Sequence, residues 1–211
     1  MNQLIVVNNG IEREQHSYPG INIKWLGENG RLQIYEPASF MNCHFQIGAN
    51  SSISIGKKSI IKNLFICCAA IESQVVLGTH FICNGGEFIL ARGMKCQKII
   101  IGEDCLLSDS IAFFTSDGHA LIDTTTNKII NLSGGNITIG NHCWIGHNVK
   151  FLKNASIADD VVVGSCSLVT KKFTTSHCII AGQPAQIVRQ NISWDISSPD
   201  EYYQRSQRNG N

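Results

Sequence analysis

The chain has 211 residues, a net charge of +1, 43% hydrophobic residues and only 16% charged ones. This composition excludes an intrinsically disordered chain, which lacks the apolar side chains to offset its ordering entropy. It also excludes the broad basic field of a nucleic-acid binder.

The first residues, MNQLIVVNNG, show neither a basic n-region nor a small-residue cleavage site, and no apolar run approaches the roughly 20 residues that cross a bilayer. The expectation is a cytoplasmic protein with no signal peptide and no membrane span. Residues 1–30 carry no repeat and read as an N-terminal cap over an open end. A six-residue grammar follows. Ile47-Gly48 and Ile53 fit one frame, and Ile55-Gly56, Ile61 and Cys67 a second. Leu77-Gly78, Cys83 and Ile89 continue after a shift, then Ile101-Gly102, Leu107 and Phe113. Each frame shift marks a place where a loop leaves the repeat. One shift falls at 92–98. A longer excursion covers 115–136, where the frame would put His119, Thr125 and Asn131 at apolar positions.

From Ile139 the repeat is clean: Ile139, Ile145, Phe151, Ile157, Val163 and Val169 recur every six residues. Four residues after the first five anchors stand Cys143, Val149, Ala155, Val161 and Ser167, all small or medium-sized. Neither an amphipathic helix nor an alternating strand has this period. An aliphatic anchor every six residues is the mark of a parallel β-helix, in which each unit is a short strand and a turn. Three units make one coil, and small residues fit where the chain bends near the axis. The repeat stops after Ile179-Ile180, and Pro184 is expected to end the last strand. The expected organisation is an all-β fold with a β-helix over 31–183, the protruding loop 115–136, and a polar tail, 184–211, that is loosely packed or a short surface helix.

Nine cysteines occur at irregular spacing with no CxxC pair, which argues against a zinc ribbon or a redox motif. Cys67, Cys105 and Cys143 fall in inward frames and read as small core residues.

The segment ITIGNHCWIGHNVKFLKNASIADDVVVGSCSLVTKKFTTSHCIIAGQPAQIVRQ resembles the C-terminal half of hexapeptide-repeat acyltransferases, the left-handed parallel β-helix family. The match extends over about 45–195 at repeat level and is specific across 137–189, where WIG, VVVGSCSLVTKK and AGQPA stand in the family's order. The loop TSDGH resembles the D-x-H motif of the branch that acetylates capsule and O-antigen glycans. The resemblance implies a homotrimer with active sites between subunits, acetyl-CoA as donor, a sugar hydroxyl as acceptor, and no metal. It also implies direct transfer without an acyl-enzyme, so Cys166, near the expected CoA site, receives no catalytic role.

Acetyl transfer to a hydroxyl needs a base, because an alcohol is a poor nucleophile near neutral pH, and donors for the developing oxyanion. His119 is the candidate base. If the loop is extended, Asp117, two residues earlier, faces the same side and orients the imidazole, or a backbone carbonyl does so instead. Trp144 precedes an anchor and so points outward. The resemblance makes it a catalytic residue lining the cleft where the pantetheine arm and the acceptor meet. His147 stands where relatives carry a small residue facing the acyl group. By the same resemblance the Ser165 N–H holds CoA near its thioester, and Thr170, Lys171, Lys172 and Arg189 meet pantetheine and phosphates. Gly182, Pro184 and Ala185 shape the closing turn beside CoA.

Three rivals stand beside this reading. His142 and His147, five apart, superficially suit a zinc carbonic-anhydrase-like site, which needs three convergent imidazoles. A non-catalytic β-helix scaffold would need neither TSDGH nor WIG. A small-molecule acetyltransferase acting on a xenobiotic or an amino sugar keeps the class and changes the acceptor.

Overall fold

The computed structural model describes residues 1–91, 95–132 and 135–209. The chain winds into a parallel β-helix of about seven coils with three flat faces. One coil runs Ser52–Ile55 on face 1, Ser59–Lys62 on face 2 and Leu64–Cys68 on face 3; the next repeats this with Gln74–Leu77, Ile82–Cys83 and Gly86–Leu90.

The core is three stacked ladders. On face 1, Ile55, Leu77, Ile101, Ile139, Ile157 and Phe173 lie in register. On face 2 the ladder is Ile61, Cys83, Leu107, Ile145, Val163 and Ile180. On face 3 it is Ile66, Phe88, Phe113, Phe151 and Val169. All are buried. Burying each large aliphatic or aromatic anchor contributes about 1.5–3 kcal/mol, an upper estimate because the unfolded chain is itself partly collapsed. The Phe88 and Phe113 rings meet edge-on at 4.5 Å, and Phe113 and Phe151 are 4.8 Å apart.

The strict hexapeptide step belongs to the coils from Ile139 to Val169, and the last coil is shorter, with Ile157 and Phe173 only 16 residues apart. From Ile139 to Ile157 is 18 residues, but Ile55 to Leu77 is 22 and Leu77 to Ile101 is 24. Two anchors expected to point inward therefore do not. Cys67 and Ile89 sit on the outer side of face 3, while Ile66, Cys68, Phe88 and Leu90 fill the prism. In these coils only five residues separate the face 2 anchor from the face 3 anchor (Cys83 to Phe88), against six from Leu107 to Phe113. A slip of one residue turns every side chain of a strand to the other side. Of the shift at 92–98, residues 92–94 lie outside the described residues, and Lys98–Ile101 is already back on face 1.

Both ends differ from the hexapeptide expectation. Within 1–30, Gln3–Asn8 pairs in parallel with Arg31–Tyr35, and Ile21–Trp25 with Cys43–Ile47, so coiling has begun there. Ile11–Gln15 then runs antiparallel on Gln3–Asn8 and covers that sheet edge. At the other end Pro184 does not end the strand run. It sits in a tight turn, with Gly182 at φ +104°, and Ala185–Gln190 returns antiparallel along Cys178–Gly182. The tail crosses back over the corner between faces 1 and 2. There Trp194 donates to the His142 carbonyl at 2.8 Å and stacks on the His142 ring at 4.8 Å. An exposed helix, Pro199–Asn209, follows.

The corners explain much of the polar sequence. At the corner between faces 1 and 2, Lys58, His80, Asp104, His142, Asp160 and His177 all have φ between 51° and 60°. Asn, Asp and His tolerate this left-handed conformation better than most residues. One face of the corner is thereby lined with alternating imidazoles and carboxylates: His80 lies 3.0 Å from Asp104 and His142 2.8 Å from Asp160.

Candidate active site

The excursion leaves face 3 after Ile111–Phe114 and rejoins face 1 at Ile137–Ile139, so it springs from the corner between those faces. Its foot is closed by backbone and side chain together. Thr115 is fully buried. Its carbonyl accepts from the Gly135 N–H at 2.8 Å, and its hydroxyl reaches the Ile89 carbonyl at 3.1 Å and the buried Gln97 side chain. Further out, Ile122–Asp123 and Lys128–Ile129 form a small antiparallel hairpin, and Asp123 accepts the Thr125 and Thr126 N–H groups at 2.8 and 2.9 Å.

His119 lies in the limb between foot and hairpin and is exposed; among the described residues no side chain hydrogen-bonds its imidazole. Asp117 does not take the orienting role expected of it. Gly118, at φ +76°, bends the chain between the two residues, so they do not share the side of an extended segment. The Asp117 carboxylate instead pairs with Lys153 and accepts from the Asn131 amide at 2.9 Å. Lys153, and then Asn131, hold its carboxyl below the usual carboxylate range. The second N–H of Asn131 goes to the His119 carbonyl at 2.8 Å, and its oxygen accepts the Leu121 N–H at 2.9 Å.

Trp144 points outward from face 2, between Leu106 and Val162, and its ring lies 6.1 Å from that of Trp194. His147 stands at the corner between faces 2 and 3, with Nδ1 2.8 Å from Asp109. That contact is the main cause holding the Asp109 carboxyl below its usual range. His142 turns to the corner between faces 1 and 2, toward Asp160, so the two imidazoles do not converge within one chain. Ser165 is exposed, stacked over Gly146 at a distance only glycine allows: a Cβ there would lie 2.7 Å from the Ser165 nitrogen. The turn holding Gly182, Pro184 and Ala185 closes beside it, where the Ser167 hydroxyl accepts the Gly182 N–H at 3.1 Å. Thr170, Lys171, Lys172 and Arg189 are all exposed on the last coil and its hairpin. Lys171 reaches Gln186 of the hairpin at 3.0 Å. An open groove of about 570 Å³ runs along face 1 from Asn136, at the end of the excursion, past Thr138 and Ser156 to Lys172.

The predicted site residues thus form two groups. Asp117, His119, Thr170, Lys171 and Lys172 flank the corner between faces 3 and 1. Trp144, His147, Ser165, Arg189 and the Gly182–Ala185 turn gather on face 2 and its corner with face 3. Asn131 and Lys153 were not among the expected site residues. The one signal for Asn131 was a polar residue at an anchor position of the frame. For Lys153 there was none. Cys105 and Cys143 are buried as expected. Burial pushes the core thiols of Cys68 and Cys83 up to about 12, far from the thiolate a nucleophile needs.

The family model described as Bacterial transferase hexapeptide (six repeats) matches residues 136–171. A polysialic acid O-acetyltransferase of Neisseria meningitidis is 31% identical over 176 residues, 80% of this chain and 77% of that protein. A polysialic acid O-acetyltransferase of Escherichia coli O1:K1 / APEC is 32% identical over 142 residues, and the matched part spans 67% of this chain but 44% of that relative. Among solved structures, the polySia specific acetyltransferase NeuO superposes with a TM-score of 0.77 at 26% identity, covering 99% of this chain and 93% of that one. With the Neisseria meningitidis relative matched over 80% of its length and the repeat model matched over residues 136–171, this chain belongs to the hexapeptide-repeat acyltransferase family.

Proposed function

We propose that this protein is an acetyl-CoA-dependent O-acetyltransferase acting on a hydroxyl of a cell-surface glycan or its sugar precursor, with His119 as general base. The observation that carries the reading is His119 itself: an imidazole with no side-chain partner among the described residues, presented to solvent on a loop whose backbone is tied down. Two of its relatives are named for an acidic sialic-acid polymer, which makes such a glycan the first acceptor to try.

In this reading His119 takes the proton of the sugar hydroxyl as that oxygen attacks the thioester carbonyl. The new ester C–O bond forms, the C–S bond breaks, and the imidazolium returns its proton to the departing CoA thiolate. The Ser165 N–H, which among the described residues takes no part in the coil's own backbone bonding, holds CoA near its thioester, with Trp144 as an apolar wall of the cleft. The residues present suit an elongated anionic donor. Lys171, Lys172 and Arg189 supply cations for its phosphates, and the face 1 groove links Lys172 to the excursion.

The split of the site supports a homotrimer. His119 springs from the corner opposite the face that carries Trp144, so a second copy is needed to bring them together. Face 2 also has an outer row to cover: Ile60, Ile82, Leu106, Trp144, Val162 and Ile179 lie in register across six strands. The donor places the protein in the cytoplasm in this reading.

The test is acetyl-CoA turnover, read as free thiol, over a panel of glycans including sialic-acid polymers. One glycan should stimulate thiol release, and His119→Ala should lose about 10²-fold or more while still binding CoA by calorimetry. If CoA does not bind the wild-type protein, the transferase reading fails.

A further inference from the structure

We propose that Asn131 and Lys153 are positioning residues for His119, acting through Asp117 as the joint between them; this rests on the reading of His119 as the base. The anchor is built in two stages. Lys153 projects from the rigid body of the β-helix, between the buried Phe151 and Ala155, and its ammonium holds the Asp117 carboxylate. That fixes the excursion's outgoing limb to the next coil at the same corner.

Asn131, on the returning limb, then ties the two limbs together. A primary amide has two N–H donors and a carbonyl acceptor, and here each is engaged on the outgoing limb. One N–H goes to Asp117 at 2.9 Å and the other to the His119 carbonyl at 2.8 Å, while the oxygen accepts from Leu121 at 2.9 Å. These contacts bracket His119 on both sides and grip its own backbone, yet none touches its ring. The imidazole is left to the substrate while its Cα is held against the scaffold. A base displaced by about 1 Å loses roughly 10²-fold in rate, so an anchor of this kind belongs to catalysis rather than to folding. Both residues sit on an exposed loop or corner, outside the stacked core.

The experiment compares His119→Ala, Asn131→Ala, Lys153→Ala and Lys153→Arg in the full-length protein by thiol release, CoA calorimetry and thermal melting. Asn131→Ala and Lys153→Ala should each lower kcat by roughly 10- to 100-fold, with CoA affinity and melting temperature unchanged. Lys153→Arg, which keeps the charge and the reach, should recover most of the loss. The double variant should lose little more than either single one, because both break the same anchor. The pH at which kcat/KM falls on the acid side should stay in place in Asn131→Ala, since position is lost and basicity is not. If His119→Ala is as active as wild type, the base assignment fails. If His119→Ala is inactive but Asn131→Ala and Lys153→Ala keep full kcat, only the anchor is wrong. A moved acid limb, or no recovery in Lys153→Arg, likewise overturns it.

Discussion

Gly118 decides what Asp117 can reach. With φ at +76° it breaks the extended path between Asp117 and His119, and the Asp117 carboxylate pairs with Lys153 instead. The D-x-H spacing was legible in the sequence, and so was the placement of both residues on a loop. The partner was not, because Lys153 lies 36 residues further along the chain and meets Asp117 only when the next coil stacks. The pairing has a consequence in pH. Lys153 and Asn131 depress the Asp117 pKa, so the carboxylate favours the folded loop above its unfolded value near 4 and loses that preference only as pH falls through the lower folded value. Asp117 is well exposed, so solvent screens the effect and the stabilisation is small. The carboxyl-carbon NMR shift of Asp117 should therefore titrate with its midpoint below the ordinary aspartate value of about 3.9. A midpoint at or above that value would show that the ion pair does not form in solution.

Among the elements, the coil corners carry the tightest constraint. Gly56, Gly78, Gly102 and Gly140 stack one above another where face 1 turns toward face 2, each following its anchor in the sequence. A Cβ on Gly56 would stand 2.5 Å from the Gly78 carbonyl carbon, which is backbone and cannot rotate aside. Gly56→Ala should cost about 1–3 kcal/mol by overpacking, lowering the melting temperature by roughly 2–12 °C for a chain of this size. A shift under about 1 °C in calorimetry would mean that the coils separate locally at no cost. These glycines were visible as the residue after each anchor. The inward side of face 3 in the early coils was not. A hexapeptide frame has no means of sensing a link shortened by one residue, and Cys67 and Ile89 went to the wrong side for that reason.

At the scale of the molecule, the outer row of face 2 is what a partner copy would cover. A charge in the middle of that row would be desolvated without a partner on assembly. Leu106→Arg should therefore dissociate the proposed trimer in sedimentation while leaving the β-sheet circular dichroism intact, and thiol release should fall with it. A Leu106→Arg protein that sediments like wild type would remove face 2 from the interface, and a monomeric wild type would remove the assembly altogether. Local sequence pattern was enough to recover the β-helix, the regular coils from Ile139 to Val169 and a long excursion carrying His119. Each of these is written in local periodicity, where six residues suffice to show which side chain must be apolar. Which side chains meet follows from how the coils stack. Neighbours in this β-helix lie one coil apart, which on face 1 is 16 to 24 residues along the chain between Ile55 and Phe173, apart from the step that spans the excursion. The contacts that hold His119, and its separation from Trp144, depend on how those coils and the excursion stack, and no short-range pattern records that.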